Sequence, residues 1–158
     1  MVNHELGPAN RIVTGHDREG KAVVIFNGPA DREITKFNGP RATLLWGSEG
    51  MPVSNAGVED MGLREDDIAP PPNGSWFRIV DYPPGFPGRR HKTDTLDYAI
   101  CMFGEIEMEL DDEVRVQLKA GDVLIQRGTV HSWINKTDKT CRMAFVLVDA
   151  HPEVTPEK

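Results

Sequence analysis

Cysteine is scarce in this chain: there are two, Cys101 and Cys141, and neither belongs to a C-x-x-C motif. Each sits in an apolar stretch and reads as a small buried hydrophobe. A domain of this length buries enough surface to fold without a disulfide or a structural metal. Basic clusters are also missing. No basic run exceeds Arg89-Arg90, and the formal charge is -7 with a pI near 5.2. Phosphate-backbone binding needs clustered Lys and Arg, so the composition argues against a nucleic-acid partner. No apolar run approaches the roughly 18–20 residues of a membrane span. The first residues, Met1 to Pro8, lack a basic stretch followed by an apolar core and do not read as a secretion signal. A reducing cytoplasm is the expected address.

Glycine and proline, in contrast, are plentiful: 15 and 12 among 158 residues. They interrupt the chain every few residues, which disfavours long helices. The segments between them are short and rich in Val, Ile, Phe, Trp and Thr, the pattern of an all-β sandwich or barrel. Strands are expected at 11–15, 22–26, 41–46, 75–82, 95–103, 105–110, 114–118, 123–126, 131–135 and 142–148. The best period-2 support lies in Glu105-Ile106-Glu107-Met108-Glu109-Leu110, where the acids face water and the apolar residues face a core. Asp111-Asp112 turns the chain into the next alternating segment. The stretch from Gly47 to Gly74 shows neither period and reads as a long loop with a short helix near Val58 to Leu63. The domain reading is therefore N-terminal strands and a long loop over 1–74, packed on a barrel core at 75–150, with a tail at 151–158, all in one structural domain.

Side chains alternate across a strand, so His91, Thr93, Thr95, Asp97, Ala99 and Cys101 share a face if that strand is unbroken. On a second segment His131, Trp133 and Asn135 share a face. If both faces line one interior, His91, Asp97 and His131 converge. Two imidazoles and one carboxylate with open positions suit a catalytic divalent ion such as Fe, Mn, Ni or Zn. Around them, Thr93, Arg78, Gln126 and Trp133 are candidate substrate contacts. Arg78 sits within an apolar strand, where it either pairs with an acid such as Asp81 or Glu109 or anchors a substrate carboxylate. Gln126 is placed to donate to a substrate oxygen, and Trp133 to wall the pocket. Tyr98 faces away from Asp97, toward an outer surface.

The two segments resemble the two cupin motifs. The first motif reads G-x5-H-x-H-x3,4-E-x6-G, and here Gly85, His91, Thr93, Asp97 and Gly104 fall in its register. Thr93 stands where the second histidine would be, and Asp97 where the glutamate would be. The second motif reads G-x5-P-x-G-x2-H-x3-N. Gly121, Gln126, Gly128, His131 and Asn135 follow it, with Gln126 in the proline position and the first interval one residue short. The resemblance covers roughly Trp76 to Val148. It implies a jelly-roll barrel of the double-stranded β-helix type with an N-terminal strand extension, a homodimer, and a site among His91, Asp97 and His131. It does not imply one reaction, because one fold hosts many chemistries.

Two functional expectations follow. The first is a metal-dependent enzyme acting on an oxygenated small molecule, an organic acid or aromatic catabolite. It would be a lyase, dehydratase or isomerase if the ion acts by charge alone, or a dioxygenase if the ion is redox-active. The second is a non-catalytic binding protein that has lost the metal along with the second histidine, using Thr93 and Asp94 to hydrogen-bond its ligand.

Overall fold

The computed structural model describes residues 6–30, 32–35, 39–64 and 69–152. The chain opens with a hairpin of β1 (Asn10–His16) and β2 (Ala22–Pro29), paired antiparallel from Asn10↔Pro29 to His16↔Ala22. Its turn is closed by Asp17, whose carboxylate accepts from the main-chain N–H groups of Glu19 and Lys21. This is the Asx-type chemistry that the Asp17 to Gly20 segment encodes. Among the described residues nine further strands follow: β3 (Glu33–Thr35), β4 (Arg41–Ser48), β5 (Ser75–Tyr82), β6 (Thr95–Phe103), β7 (Glu105–Glu109), β8 (Arg115–Lys119), β9 (Val123–Arg127), β10 (Ser132–Ile134) and β11 (Cys141–Asp149). Single 3-10 turns stand at Met61–Leu63 and Asp111–Glu113.

The strands build a six-stranded sheet in the order β3-β4-β5-β11-β6-β9 and a three-stranded sheet in the order β10-β7-β8, every pairing antiparallel. The two inner faces enclose one core, the jelly-roll arrangement. Trp76, Val80 and Tyr82 of β5, Ala99 and Cys101 of β6, and Met143, Phe145 and Leu147 of β11 supply one face. Ile106, Met108, Leu118 and Trp133 supply the other. Trp133 meets Phe145 edge-on across the gap, with ring centroids 5.5 Å apart. Burying each of the larger apolar side chains is worth roughly 1.5–3 kcal/mol.

Gly104 sits where the chain leaves the large sheet for the small one. Its φ is +77°, and a Cβ there would stand 2.8 Å from the Thr140 carbonyl and 3.1 Å from Cys141 Cα. Only glycine fits both conditions.

The expected strands all form, and the alternation of β7 places Ile106 and Met108 in the core as anticipated. β3, which the sequence reading passed over, adds an edge to the large sheet. Val114 and Val116 remain exposed because β8 is the outer edge of the small sheet. Between β4 and β5 the described residues 49–64 and 69–74 form a loop, and Asp60 ties it down: its carboxylate takes Arg11 at 2.5 and 2.6 Å and caps the 3-10 turn through Gly62 N–H. Residues 65–68 of that loop and 153–158 of the tail lie outside the described residues. Among the described residues no helix is long and apolar enough to cross a membrane.

Candidate metal and substrate site

His91 and His131 stand side by side. Each donates its main-chain N–H to the other's carbonyl at 2.9 Å, an isolated antiparallel bridge between two loops. Their ring centroids are 4.4 Å apart. The approach of the first loop depends on Gly88. It has φ +86°, and a Cβ there would overlap the Ser132 hydroxyl and press on Ile134 at 2.8 Å. The spacing between motifs thus becomes a contact because the 83–90 segment can lie directly on β10.

Each imidazole also bonds the carbonyl two residues behind it: His91 Nδ1 to Arg89 O and His131 Nδ1 to Thr129 O, both at 2.9 Å. A carbonyl only accepts, so both Nδ1 atoms carry the hydrogen. The lone pair of each neutral ring therefore resides on Nε2, the state a metal-binding histidine adopts. Burial pushes the His131 pKa down, the Thr129 contact partly offsets it, and the His91 charge lowers it further.

Asp97 projects from β6 into the same interior and is buried. Thr95 donates its hydroxyl to Oδ1 at 2.6 Å, and Gln126 Nε2 donates to Oδ2 at 3.3 Å. Burial raises the Asp97 pKa; the Thr95 bond and then the charges of Arg78 and His91 work against it. Arg78 lies on β5 between Trp76 and Val80, on the core-facing side of that strand. Asp81, on the opposite face, is taken by Arg41 and Arg142, and Glu109 by Arg115. Thr93 reaches the Thr95 hydroxyl at 3.0 Å. Trp133 stands edge-on to His131, centroids 5.9 Å apart. The seven residues singled out from the sequence thus fall around one end of the barrel interior.

The donor chemistry fits an ion at the histidine pair, where two fixed Nε2 lone pairs are on offer. The carboxylate stands further back: among the described residues, no group of three or more His, Cys, Asp or Glu is placed to hold a metal. Two kinds of contributor escaped the sequence reading. Thr95 was on the right face but had no role assigned. The carbonyls of Arg89 and Thr129, which set the ring tautomers, belong to the main chain and leave no mark in residue type. Asn135, by contrast, has the role its motif position implies: fully buried, it caps the turn after the His131 strand, accepting from Thr137 N–H and donating to the carbonyls of Tyr82, Pro83 and Lys139. A separate groove of about 1120 Å³ runs between the β1–β2 hairpin and the outer face of the large sheet, and it includes none of the seven residues.

A two-sheet barrel with a histidine pair at one end defines the class, and comparison with known proteins agrees. The cupin domain family matches residues 78–148. Phomopsin biosynthesis cluster protein D of Diaporthe leptostromiformis is 34% identical over 155 residues, covering 94% of this chain and 82% of that protein. The cupin-domain-containing oxidoreductase srdB of Neurospora crassa is 30% identical over 151 residues, covering 94% and 77%. The Cnp3 cupin domain of Schizosaccharomyces pombe superposes with a TM-score of 0.51 at 13% identity, over 89% of this chain and 87% of that one. The chain belongs to the cupin family.

Proposed function

We propose that this protein is a metal-dependent cupin enzyme of the oxidoreductase type, acting on an oxygenated small molecule such as an organic acid or an aromatic catabolite. The single observation that carries the reading is the histidine pair with both Nδ1 atoms tied to carbonyls and both Nε2 atoms left to bind. The reading draws further support from relatives whose names include "cupin-domain-containing oxidoreductase" and "biosynthesis cluster protein". Those names favour redox chemistry over the lyase, dehydratase and isomerase chemistries that the motifs leave open. It includes a homodimer in the reducing cytoplasm.

His91 and His131 would hold a divalent ion, Fe, Mn, Ni or Zn, with Asp97 as the third donor. Bound there, the ion supplies a Lewis-acid or redox centre for substrate oxygens. The protein's own groups do the rest. The lowered pKa of His131 keeps its lone pair available at neutral pH. Thr95 and Gln126 fix the orientation of the Asp97 carboxylate. Arg78 offers positive charge to a substrate carboxylate, Thr93 and Gln126 offer hydrogen bonds at its edge, and Trp133 walls off water beside His131.

The test is elemental analysis of protein purified without chelators, followed by thermal melting with added Fe, Mn, Ni, Co or Zn. An ion at 100 times its dissociation constant stabilises the folded state by about 2.7 kcal/mol. For a chain of this size that raises the melting temperature by roughly 5–11 °C, and His131→Ala abolishes the rise. Absence of both a stoichiometric ion and any shift favours the second reading, a metal-free small-molecule binding protein. The observation on its side is that both Asp97 oxygens are already engaged inside the protein and no three-donor cluster forms among the described residues.

A further inference from the structure

We infer that Gln126 is a positioning residue that ties the Asp97 carboxylate of one motif to the His131 loop of the other; the inference rests on the metal reading above. Gln126 lies on β9, 2% exposed, directly across from Asp97 in the β6–β9 register. The orientation of its carboxamide is settled by chemistry. The main-chain N–H of Thr129 points at one end of it from 2.9 Å, and an N–H only donates, so that end is Oε1. The NH2 end therefore faces Asp97 Oδ2, at 3.3 Å.

Thr129 is also the residue whose carbonyl holds His131 Nδ1. One unbroken path of hydrogen bonds thus runs from Asp97 through Gln126 and Thr129 to the imidazole. At its other end Thr95 holds Oδ1, so neither carboxylate oxygen turns without breaking a bond. The path needs a side chain that accepts and donates at once and spans from β9 to β6. Proline, the residue of the family motif at this position, has neither capacity in its side chain. Gln126 therefore holds the two motifs in register at the site through hydrogen bonds that a proline side chain could not make.

The experiment is a calorimetric titration of Mn2+ and Co2+ into wild type, Gln126→Leu, Asp97→Ala and the double variant, with Gln126→Met as a second apolar replacement should leucine prevent folding. Loss of an outer hydrogen-bond partner typically weakens metal binding by 10–100-fold, and that loss is expected for Gln126→Leu. In the Asp97→Ala background the same substitution is expected to cost clearly less, because only the hold of Gln126 on the Thr129 loop remains to be lost. Unchanged affinity in the single variant, or an equal loss in both backgrounds, overturns the assignment, since general damage to the barrel would carry over. Urea denaturation of the same four proteins without ions reads the Gln126–Asp97 coupling directly. Zero coupling refutes the tie whether or not metal binds. Measurable coupling in a protein that binds neither ion upholds the tie and removes the metal reading alone.

Discussion

Asp81 is the most exacting place to perturb the scaffold behind the site. It is 1% exposed and accepts four hydrogen bonds from two guanidinium groups. Arg41 reaches Oδ2 from Nε at 3.2 Å and Nη2 at 2.5 Å. Arg142 reaches Oδ1 from Nε and Oδ2 from Nη2, both at 2.7 Å. The same arginines donate to the carbonyls of Leu6 and Gly7, so the carboxylate also fastens the start of the chain to β4, β5 and β11. Asp81→Asn keeps the shape, removes the charge on which these four bonds converge, and turns an NH2 group toward donors. Breaking a buried ion pair from one side costs about 3–5 kcal/mol. At 2–4 °C per kcal/mol the melting temperature falls by roughly 6–20 °C. Urea unfolding followed by tryptophan fluorescence measures the loss. A triple replacement, Arg41→Met, Asp81→Leu and Arg142→Met, separates causes: a buried pair exchanged as a unit for apolar residues recovers most of the stability. A loss below about 1 kcal/mol in Asp81→Asn would mean that water satisfies the cluster, and the reasoning would fall.

Two further outcomes are expected. The Arg11 guanidinium beside Asp60 holds that carboxyl below its ordinary value of 3.8. A depressed carboxylate pKa contributes stability above the unfolded value that is lost as pH drops through the folded one. Asp60→Asn should therefore be less stable than wild type at pH 7, with the gap closing below about pH 4; a gap constant with pH, measured by urea unfolding across a pH series, excludes the pair as its source. On the outer face of the large sheet, Tyr98, Ile100 and Met102 of β6 and Val123 and Ile125 of β9 are all substantially exposed and lie side by side. Exposed apolar patches of this extent mark association surfaces. If the homodimer in the proposed reading uses this face, wild type sediments at twice 17.6 kDa and Ile100→Glu at the single mass with unchanged melting, whereas a monomeric wild type removes the dimer.

What sequence reasoning could see follows the physics of each signal. Strands were legible because glycine and proline bound them and because one buried face imposes period 2, as in β7. β3 was missed because Glu33-Ile34-Thr35 is too short to show a period. The 47–74 loop was legible as a loop, yet its anchor was not: Arg11 and Asp60 are 49 residues apart, and an ion pair at that separation leaves no local pattern. The histidine pair was anticipated from motif spacing, since each motif fixes its histidine relative to a turn. The carbonyls that choose the ring tautomers were invisible, because every residue carries one.

The two departures from the family's first motif are physically linked. Thr93, in place of a second histidine, shares its face with Thr95 and Asp97, and the three form a chain of hydrogen bonds. A hydroxyl has one proton. Thr95 directs its own to Asp97 over the shorter distance, 2.6 Å, and the Thr93 hydroxyl is its second acceptor at 3.0 Å. A nitrogen donor has thus been exchanged for a relay of hydroxyls that ends on the carboxylate. Asp97 then carries donors on both oxygens while burial opposes its charge. On the metal reading, such a carboxylate has fewer lone pairs to offer than one without hydrogen-bond donors, and one imidazole fewer grips the ion. Affinity should fall below that of a site with three imidazoles. Thr93→His supplies the missing nitrogen but cuts the relay. If it tightens Mn2+ binding in calorimetry, the absent imidazole limits the site; if it weakens binding, the hydroxyl relay matters more than the lost ligand.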